Sequence, residues 1–251
     1  MRHYSRVQIE SLAKRTNGQH LNHLWFDQRE GRLNSSAVYQ IHTLQQMLQD
    51  YEFQYPGQPY PLDYYRQINH KRTFLYEHSY DDEKPQVQYG HVHEKDAIRE
   101  YESISGYKVT QTGLWLFPSG YVTCSPDGLI YTRNKRQAEG MIEVKCPAQL
   151  QYARRERANT WYQRLDYLRP GNQINTRHRL YHRLQAEMYA TGTMWCDLVV
   201  WSPHDILITR IERNEAWIQE KVPLIDMFFE RFCLESTHRF HELQEIEKNK
   251  R

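Results

Sequence analysis

The stretch SPDGLIYTRNKRQAEGMIEVKCP, residues 125–147, decides the fold. A turn around Asp127 leads into the apolar residues 129–131, and after a polar loop a second apolar segment covers residues 141–145. Short apolar runs bounded by Pro, Gly and Asp are typical of β-strands. A hairpin of these two strands would bring Asp127 beside Glu143.

The second strand alternates apolar and charged residues. Successive side chains of a strand point to opposite faces, so Glu143 and Lys145 share one face and Ile142 and Val144 share the other. We expect the apolar pair to pack into the core and the charged pair to project into a cleft. Charged residues at this spacing also occur by chance, usually on a solvated face.

The chemistry of this cluster favours a metal site. Two close carboxylates repel each other, so one would normally be protonated. A divalent cation removes that conflict, and oxygen ligands favour Mg²⁺, with Mn²⁺ as a substitute. Such an ion neutralises a phosphate under attack and acidifies a bound water, while Lys145 could stabilise the developing negative charge.

The remaining sequence predicts alternating helices and strands from its apolar spacing and its β-branched and aromatic runs. The predicted helices cover residues 5–15, 35–49, 90–105, 178–190 and about 215–248. The further predicted strands cover residues 107–112, 114–117, 121–124, 194–201 and 206–211. Ser35 or Ser36 would cap the second helix. Residues 51–65, rich in Pro, Gly and Tyr, would form a surface loop.

The order of these elements predicts the fold class. Helix, strands, helix, strands and helix follow one another in a chain of 251 residues. This order is typical of an α/β (α+β) fold with a central mixed β-sheet flanked by helices. A chain of this length suits one large domain, and we expect residues 1–251 to form it.

Charge is distributed unevenly along the chain. The net charge of +2 argues against a strongly basic nucleic-acid binder, yet residues 133–183 hold 12 Lys and Arg against 4 Asp and Glu, a local net charge of +8. This asymmetry favours a polyanionic partner for the middle of the chain. Solvated helix faces are the alternative interpretation.

The cysteines and the hydropathy of the chain indicate the cellular compartment. Cys124, Cys146, Cys196 and Cys233 form no Cys-x-x-Cys pair, which argues against a zinc ribbon and a disulfide framework. The N-terminal segment lacks the apolar core of a signal peptide, and no run approaches the ~18 apolar residues of a membrane helix. We expect a soluble, intracellular protein of a reducing compartment, cytoplasm or nucleus, with no membrane partner.

Two histidine pairs raise the question of zinc. His178 and His182 have i, i+4 spacing on a predicted helix, but the glutamate of His-Glu-x-x-His is absent. His91 and His93 precede Glu94, and no third ligand is evident for either pair. Surface or DNA-facing histidines are therefore the favoured interpretation.

The residues flanking the cluster resemble a known family. Ser-Pro-Asp-Gly before one strand and Ile-Glu-Val-Lys-Cys-Pro in the next resemble the lambda exonuclease and YqaJ-like branch of the PD-(D/E)XK nucleases. Three further segments resemble it in the same order: LWFDQREGRLNSSAV (residues 24–38), GHVHEKDAIREYESISGYKV (residues 90–109) and LYHRLQAEMYATGTMWCDLVVWSP (residues 180–203). The resemblance covers about residues 24–212 and implies a restriction-endonuclease-like core.

This resemblance implies residues for a metal site. Asp127 and Glu143 would bind Mg²⁺ or Mn²⁺ together with the main-chain carbonyl of Val144, and Lys145 would be the catalytic lysine. Glu94 matches a helix glutamate that contributes to the metal site directly or through water. Without the resemblance, Glu94 would be interpreted as an exposed helix carboxylate.

It also implies residues for DNA. Arg29, Ser36 and Ser125 match residues that hold the 5′ phosphate of a DNA end, and a guanidinium group can grip a phosphate with two hydrogen bonds. Surface charge and helix capping are their alternative roles. The family pattern Gln-x-Gln reads Arg-x-Gln here. Gln185 matches the second glutamine, whereas Arg183 brings a positive charge, suited to phosphate, to the first position.

The implied activity is that of a Mg²⁺-dependent deoxyribonuclease. The resemblance favours a 5′-to-3′ exonuclease on double-stranded DNA ends, acting in recombination, repair or viral DNA processing. It also implies a ring-shaped homotrimer and a single-strand annealing protein as partner. An endonuclease or nickase on the same fold and a catalytically inactive DNA-binding recombination partner are the alternatives.

Overall fold

Three β-sheets form the framework of the protein in the computed structural model, which describes residues 3–61, 85–132, 137–152 and 157–230. The strands in these parts of the chain are β1 (Leu33–Asn34), β2 (Val109–Thr110), β3 (Trp115–Leu116), β4 (Val122–Cys124), β5 (Gly128–Ile130), β6 (Gly140–Lys145), β7 (Leu168–Arg169), β8 (Gln173–Ile174), β9 (Trp195–Ser202) and β10 (Asp205–Glu212). Only β6, β9 and β10 among them exceed three residues.

Helices connect and cover these strands. They are α1 (Arg6–Arg15), α2 (His23–Asp27), α3 (Val38–Gln54), α4 (Pro85–Ser105), α5 (Arg179–Thr191) and α6 (Glu215–Phe228). Among the described residues, no helix combines the length and the apolar character needed to cross a membrane.

The largest sheet places β6 at its centre. Its five strands follow the order β10-β9-β6-β5-β2. β6 and β9 run parallel, whereas the other neighbouring strands are antiparallel. A parallel pair requires a long crossover connection, and α5 lies in this one. A second sheet has the order β1-β4-β3, and β7 and β8 form a separate hairpin.

The two faces of β6 pack against different helices. Ile142 and Val144 join Ala97 of α4 in one apolar cluster. Met141 belongs to the larger core, to which α5 contributes Leu184. The prediction that Ile142 and Val144 pack into the core is therefore confirmed.

The predicted fold class, a mixed sheet flanked by helices, is confirmed. The predicted hairpin is present as β5 and β6, with Gly128 opposite Ile142. A tight turn joins the last two strands, β9 and β10, where Ser202 pairs with Asp205. Helix α5 ends at Gly192, whose φ of 71° is the left-handed conformation that glycine adopts without strain.

Several predicted boundaries were wrong. Helix α3 extends to Gln54, into the predicted loop. This extension is largely exposed, and Tyr51 in it contacts the rings of Tyr55 and Tyr60. Neither Ser35 nor Ser36 caps α3. Instead, Asn34 accepts a hydrogen bond from the main-chain nitrogen of Ala37 at 3.1 Å and caps the 3-10 turn that leads into α3.

The sequence did not indicate α2, β1, β7 and β8, because elements this short show no periodicity. Of the predicted C-terminal helix, the part now called α6 is confirmed, and residues 231–248 lie outside the described residues. Cys233 and residues 62–65 of the predicted loop also lie outside them. The cysteines in the described parts, at positions 124, 146 and 196, are free and buried.

Candidate active site

The β5–β6 hairpin brings Asp127 to the strand that carries Glu143. Gly128 pairs with Ile142, so Asp127 immediately precedes the paired segment and Glu143 immediately follows Ile142. Asp127 Oδ2 accepts a hydrogen bond from the main-chain nitrogen of Val144 at 2.7 Å. This bond fixes the Asp127 carboxylate at the end of β6.

Lys145 stands on the same face of β6 as Glu143. Its Nζ donates hydrogen bonds to Glu143 Oε1 and, at 3.3 Å, to the carbonyl oxygen of Val144. The Lys145 side chain is 32% exposed, whereas that of Glu143 is fully buried. The ammonium group therefore forms the solvent-facing edge of this cluster.

Helix α5 supplies a second cation to Glu143. Nη1 of Arg183 lies 3.2 Å from Glu143 Oε1, and Nη2 donates to Oε2 at 3.2 Å. Arg183 Nε also donates to Glu187 Oε1 at 2.8 Å. Of the two residues that were expected to project into a cleft, Lys145 reaches solvent, whereas Glu143 is enclosed because Arg183 of α5 covers its carboxylate.

The two carboxylates have opposite pKa shifts. Burial and repulsion from Glu143 raise the pKa of Asp127 well above its usual value. Burial also acts to raise the pKa of Glu143, but attraction by Arg183 and Lys145 outweighs it and lowers that pKa. The ionised form is thus stabilised at Glu143 and disfavoured at Asp127.

The donor atoms of this cluster fit a hard divalent cation. Asp127 and Glu143 supply carboxylate oxygens beside the carbonyl of Val144, and Mg²⁺ and Mn²⁺ prefer oxygen ligands. A cation would also remove the repulsion that disfavours the ionised form of Asp127. No group of three His, Cys, Asp or Glu side chains in the described parts is arranged to hold a metal. Main-chain, water or substrate oxygens would complete the ligand set.

Glu94 of α4 lies near this cluster. It is half-buried, and its charge contributes to the raised pKa of Asp127. Burial and then the charge of Glu94 raise the pKa of the Cys146 thiol to about 12. Glu94 therefore adds negative charge at the same end of β6, where a cation would be attracted.

Arg29, Trp25 and Ser125 form a neighbouring polar group. The guanidinium carbon of Arg29 lies 4.0 Å from the ring centroid of Trp25, and Trp25 Nε1 donates to Ser125 Oγ at 3.0 Å. Burial and repulsion from Arg183 lower the pKa of Arg29 to about 10. An anion bound near both guanidinium groups would relieve this repulsion.

Comparison with known protein families identifies the family of this chain. Residues 24–193 match the model of the YqaJ-like viral recombinase domain. The chain belongs to this family. The resemblance to the YqaJ-like branch that the motifs carry is thus confirmed. A search of curated proteins gives no match.

Solved structures share the fold of this YqaJ-like chain. An alkaline exonuclease (LHK-Exo) from Laribacter hongkongensis has a TM-score of 0.56 at 23% identity, covering 88% of this chain and 98% of that one. A phage-related exonuclease from Haemophilus somnus 129PT has a TM-score of 0.53 at 12% identity, covering 86% and 96%. The structure of a SOX–DNA complex has a TM-score of 0.55 at 9% identity, covering 93% and 73%.

Of the two adjacent serines in the YqaJ-like chain, Ser35 is the one that reaches the cluster. Ser35 is buried, and its hydroxyl donates to Glu187 Oε1 at 2.8 Å. Ser36, which the resemblance selects, is exposed on the 3-10 turn. The sequence missed Ser35 and Glu187, although Glu187 stands one helical turn after Arg183, a spacing that could have indicated the pair.

Gln185 is not brought to the cluster. Its Nε2 donates to the carbonyl of Glu212 at 3.0 Å, and its Oε1 accepts from the main-chain nitrogen of Asn214 at 2.8 Å. The side chain is fully buried and both ends of its amide are used, so Gln185 joins α5 to the last residue of β10 and to Asn214. We do not include it in the proposed site.

Three of the four histidines in the two pairs contact other groups of the protein. His178 Nδ1 accepts from the main-chain nitrogen of Leu180 at 3.1 Å and caps α5. His182 Nδ1 accepts from Trp217 Nε1 at 3.0 Å. His93 stacks on the ring of Trp201, with 5.2 Å between the centroids. The interpretation of these residues as surface or DNA-facing histidines stays a prediction.

Proposed function

We propose that this protein is a metal-dependent deoxyribonuclease that hydrolyses DNA phosphodiester bonds as a 5′-to-3′ exonuclease. The observation that carries the proposal is the meeting of Asp127, Glu143 and Lys145 at the end of β6, in a chain of the YqaJ-like family. Two similar structures are of proteins named exonucleases, and a third was solved with DNA.

The oxygen donors have a role that follows from their chemistry. Asp127, Glu143 and the carbonyl of Val144 would hold Mg²⁺, or Mn²⁺ in its place, with Glu94 contributing directly or through water. When bound, such an ion supplies charge neutralisation at the phosphate and acidifies a bound water. The hydrogen bond from Val144 N keeps the Asp127 carboxylate in one orientation for this task.

Lys145 is suited to act on the phosphate itself. Its ammonium group is held by Glu143 and the Val144 carbonyl and remains partly exposed to solvent. A positive charge fixed at the edge of a mostly buried cluster stabilises negative charge that develops on a phosphate oxygen. The same group can orient the attacking water by donating a hydrogen bond to it.

The group formed by Arg29, Trp25 and Ser125 would bind the 5′ phosphate of a DNA end. Arg29 and Arg183 supply two positive charges that repel each other in the absence of an anion, and a terminal phosphate would neutralise them. The Trp25 ring limits the movement of the Arg29 guanidinium group. A site for a terminal phosphate beside the cleavage residues favours cleavage that starts from a 5′ end.

Hydrolysis of linear duplex DNA tests the catalytic assignment. We expect digestion in Mg²⁺, none with EDTA, and a loss of about 100-fold to 1000-fold in Lys145→Gln with duplex binding retained. Lys108→Gln is the matched control, because Lys108 also pairs with a glutamate, Glu102, at 3.0 Å but on the surface. Binding without cleavage by the wild type, in both Mg²⁺ and Mn²⁺, would favour the inactive DNA-binding alternative.

A second comparison tests the role of Arg29. We expect the wild type to degrade a 5′-phosphorylated duplex faster than one with a 5′ hydroxyl, and Arg29→Ala to lose most of this preference. Arg99→Ala, at a residue 75% exposed on α4, should keep it. An unchanged preference in Arg29→Ala would remove Arg29 from the proposed phosphate site.

A further inference from the structure

Arg183 makes an unusual contact for a residue beside a candidate metal site. Its two terminal nitrogens approach both oxygens of Glu143, each at 3.2 Å. Glu143 Oε1 also accepts from Lys145. Both oxygens of the carboxylate assigned to the metal are thus already in contact with a cation that belongs to the protein.

Arg183 is held there by a second buried acid. Glu187 is fully buried, and its Oε1 accepts from Arg183 Nε at 2.8 Å and from Ser35 Oγ at 2.8 Å. Its Oε2 is buried and has no hydrogen-bond partner among the described residues. Since a buried, incompletely bonded carboxylate is costly, Glu187 depends on the positive charge of Arg183.

The geometry of the pair restricts the position of Arg183. Residues four apart on a helix face the same side, so Arg183 and Glu187 form a pair along α5. Ser35 donates to the same Glu187 oxygen that accepts from Arg183. Glu187 therefore holds the guanidinium group at Nε, while its two terminal nitrogens face Glu143. A flexible surface arginine would lack this constraint.

We propose that Arg183 is a built-in counter-ion of Glu143 that competes with the divalent cation for this carboxylate, and that Glu187 and Ser35 are the positioning residues that hold it there. This inference rests on the proposed function, because it takes Glu143 to be a metal ligand. The cation must share or displace the guanidinium group, so the protein binds it more weakly than it would with a neutral side chain at position 183.

Direct titration with Mn²⁺ in the absence of DNA tests the proposal. We expect Arg183→Gln to lower the Mn²⁺ dissociation constant about tenfold, measured by calorimetry or by the free-ion spectrum. Arg6→Gln is the matched control. Arg6 forms the same i, i+4 pair, with Nε 2.8 Å from Glu10 Oε1, and it also contacts the end of α5 through the carbonyls of Ala190 and Thr191.

A second variant guards against misfolding. Arg183→Gln leaves Glu187 without its cation, so we also expect the double variant Arg183→Gln, Glu187→Gln to melt at a higher temperature than Arg183→Gln and to retain the tighter Mn²⁺ binding. We expect Glu187→Gln to raise the melting temperature more in the Arg183→Gln background than in the wild type, where Arg183 still neutralises part of the buried charge. Such a difference would show that Glu187 acts through Arg183.

The outcomes separate this inference from the proposed function. Equal or weaker Mn²⁺ binding in both Arg183 variants, or no binding in any variant, would overturn it. An equal effect of Glu187→Gln on the melting temperature in both backgrounds would overturn the positioning role. A wild type that binds Mn²⁺ but cuts no DNA would contradict the nuclease assignment and leave the Arg183 comparison interpretable.

Discussion

Asp127 and Glu143 belong to the same hairpin, yet their surroundings differ. Glu143 has two cationic partners, whereas Asp127 accepts a main-chain hydrogen bond and faces the charges of Glu143 and Glu94. The ionised form of Asp127 is therefore held at a cost to folding, which is common at sites that bind a cation. Removing the charge of Asp127 should therefore stabilise the folded protein and abolish its function.

Replacing Asp127 by asparagine tests this expectation. The pKa of Asp127 is raised in the folded protein, so folding favours the protonated carboxyl group. The stability that this group contributes is full below its unfolded pKa of about 3.9 and is lost as pH rises through its folded pKa. In EDTA at pH 7 we expect Asp127→Asn, which keeps an acceptor for Val144 N, to melt above the wild type. DNA hydrolysis should fall at least about 100-fold.

A buried aspartate with a cationic partner provides the contrast. Asp197 accepts two hydrogen bonds from Arg210, each at 2.8 Å, and one from Tyr101 at 2.8 Å. Asp197→Asn should therefore lower the melting temperature under the same conditions. If Asp127→Asn also melts below the wild type in EDTA, the ionised carboxylate of Asp127 does not destabilise the folded protein.

Residue-level prediction succeeded where a local rule applied. The alternation of β6 and the hairpin turn bring Asp127, Glu143 and Lys145 together without tertiary information. Ser35 and Glu187 were missed because their contact joins residues 152 positions apart, and no local pattern encodes it. Arg183 was found only as a departure from the family pattern, and its bond to Glu143 required the structure.

Among the elements, β6 depends on a close approach at its first residue. A Cβ added to Gly140 would lie 2.4 Å from ring atoms of Trp195, and this ring is held from another side by Arg210, 3.6 Å from its centroid. Because the indole has little room to move, the strand that carries the candidate site requires glycine at this position.

We expect Gly140→Ala to destabilise the protein by about 1–3 kcal/mol, as overpacking of a core does, measured by chemical denaturation. Gly90→Ala is the matched control. An added Cβ on Gly90 meets nothing within 4 Å, and alanine should stabilise helix α4 by about 0.5–1 kcal/mol. A neutral Gly140→Ala would mean that the Trp195 ring can shift.

Helix α5, which carries Arg183, begins with an unusual cap. His178 Nδ1 accepts from the main-chain nitrogen of Leu180, which requires an unprotonated nitrogen. Burial lowers the pKa of His178, and the charge of Asp166 offsets part of this effect. Since the folded pKa lies below the unfolded value, the stabilisation by the cap is full above the unfolded pKa of about 6.5 and is lost as pH falls through the folded pKa.

Thermal unfolding between pH 8 and pH 5 tests the cap. His178→Asn keeps a side chain that caps helices well, so the variant should lose less stability on acidification than the wild type. His91→Asn, at an exposed residue of α4, should follow the wild type. Loss of the cap at low pH should cost about 0.5–2 kcal/mol. Identical pH profiles for wild type and His178→Asn would contradict this account.

Helices and strands were predicted most accurately where the apolar periodicity of the sequence is strongest. The helices now called α1, α4 and α5 and the strands β6, β9 and β10 were placed within a few residues, because their apolar spacing extends over several turns or pairs. The two-residue strands depend on pairing with other strands, and α2 spans only five residues. Their sequences alone carry no sufficient pattern.

At the scale of the whole molecule, the proposed ring has a direct test. The resemblance implies a homotrimer, and sedimentation equilibrium should then give three times the chain mass of 30.5 kDa. A trimeric ring that encloses the duplex should also degrade long DNA without dissociating. A monomer at micromolar concentration would remove the ring from the proposal while leaving the chemistry of the site unchanged.

The central claim is that the site at the end of β6 cleaves DNA from an end. The most direct measurement compares linear duplex DNA with the same sequence as a covalently closed circle, each incubated with wild type and Lys145→Gln in Mg²⁺. We predict degradation of the linear form by the wild type, with the circle intact and Lys145→Gln inactive on both. Rapid cutting of the closed circle by the wild type would contradict the exonuclease assignment and favour an endonuclease on this fold.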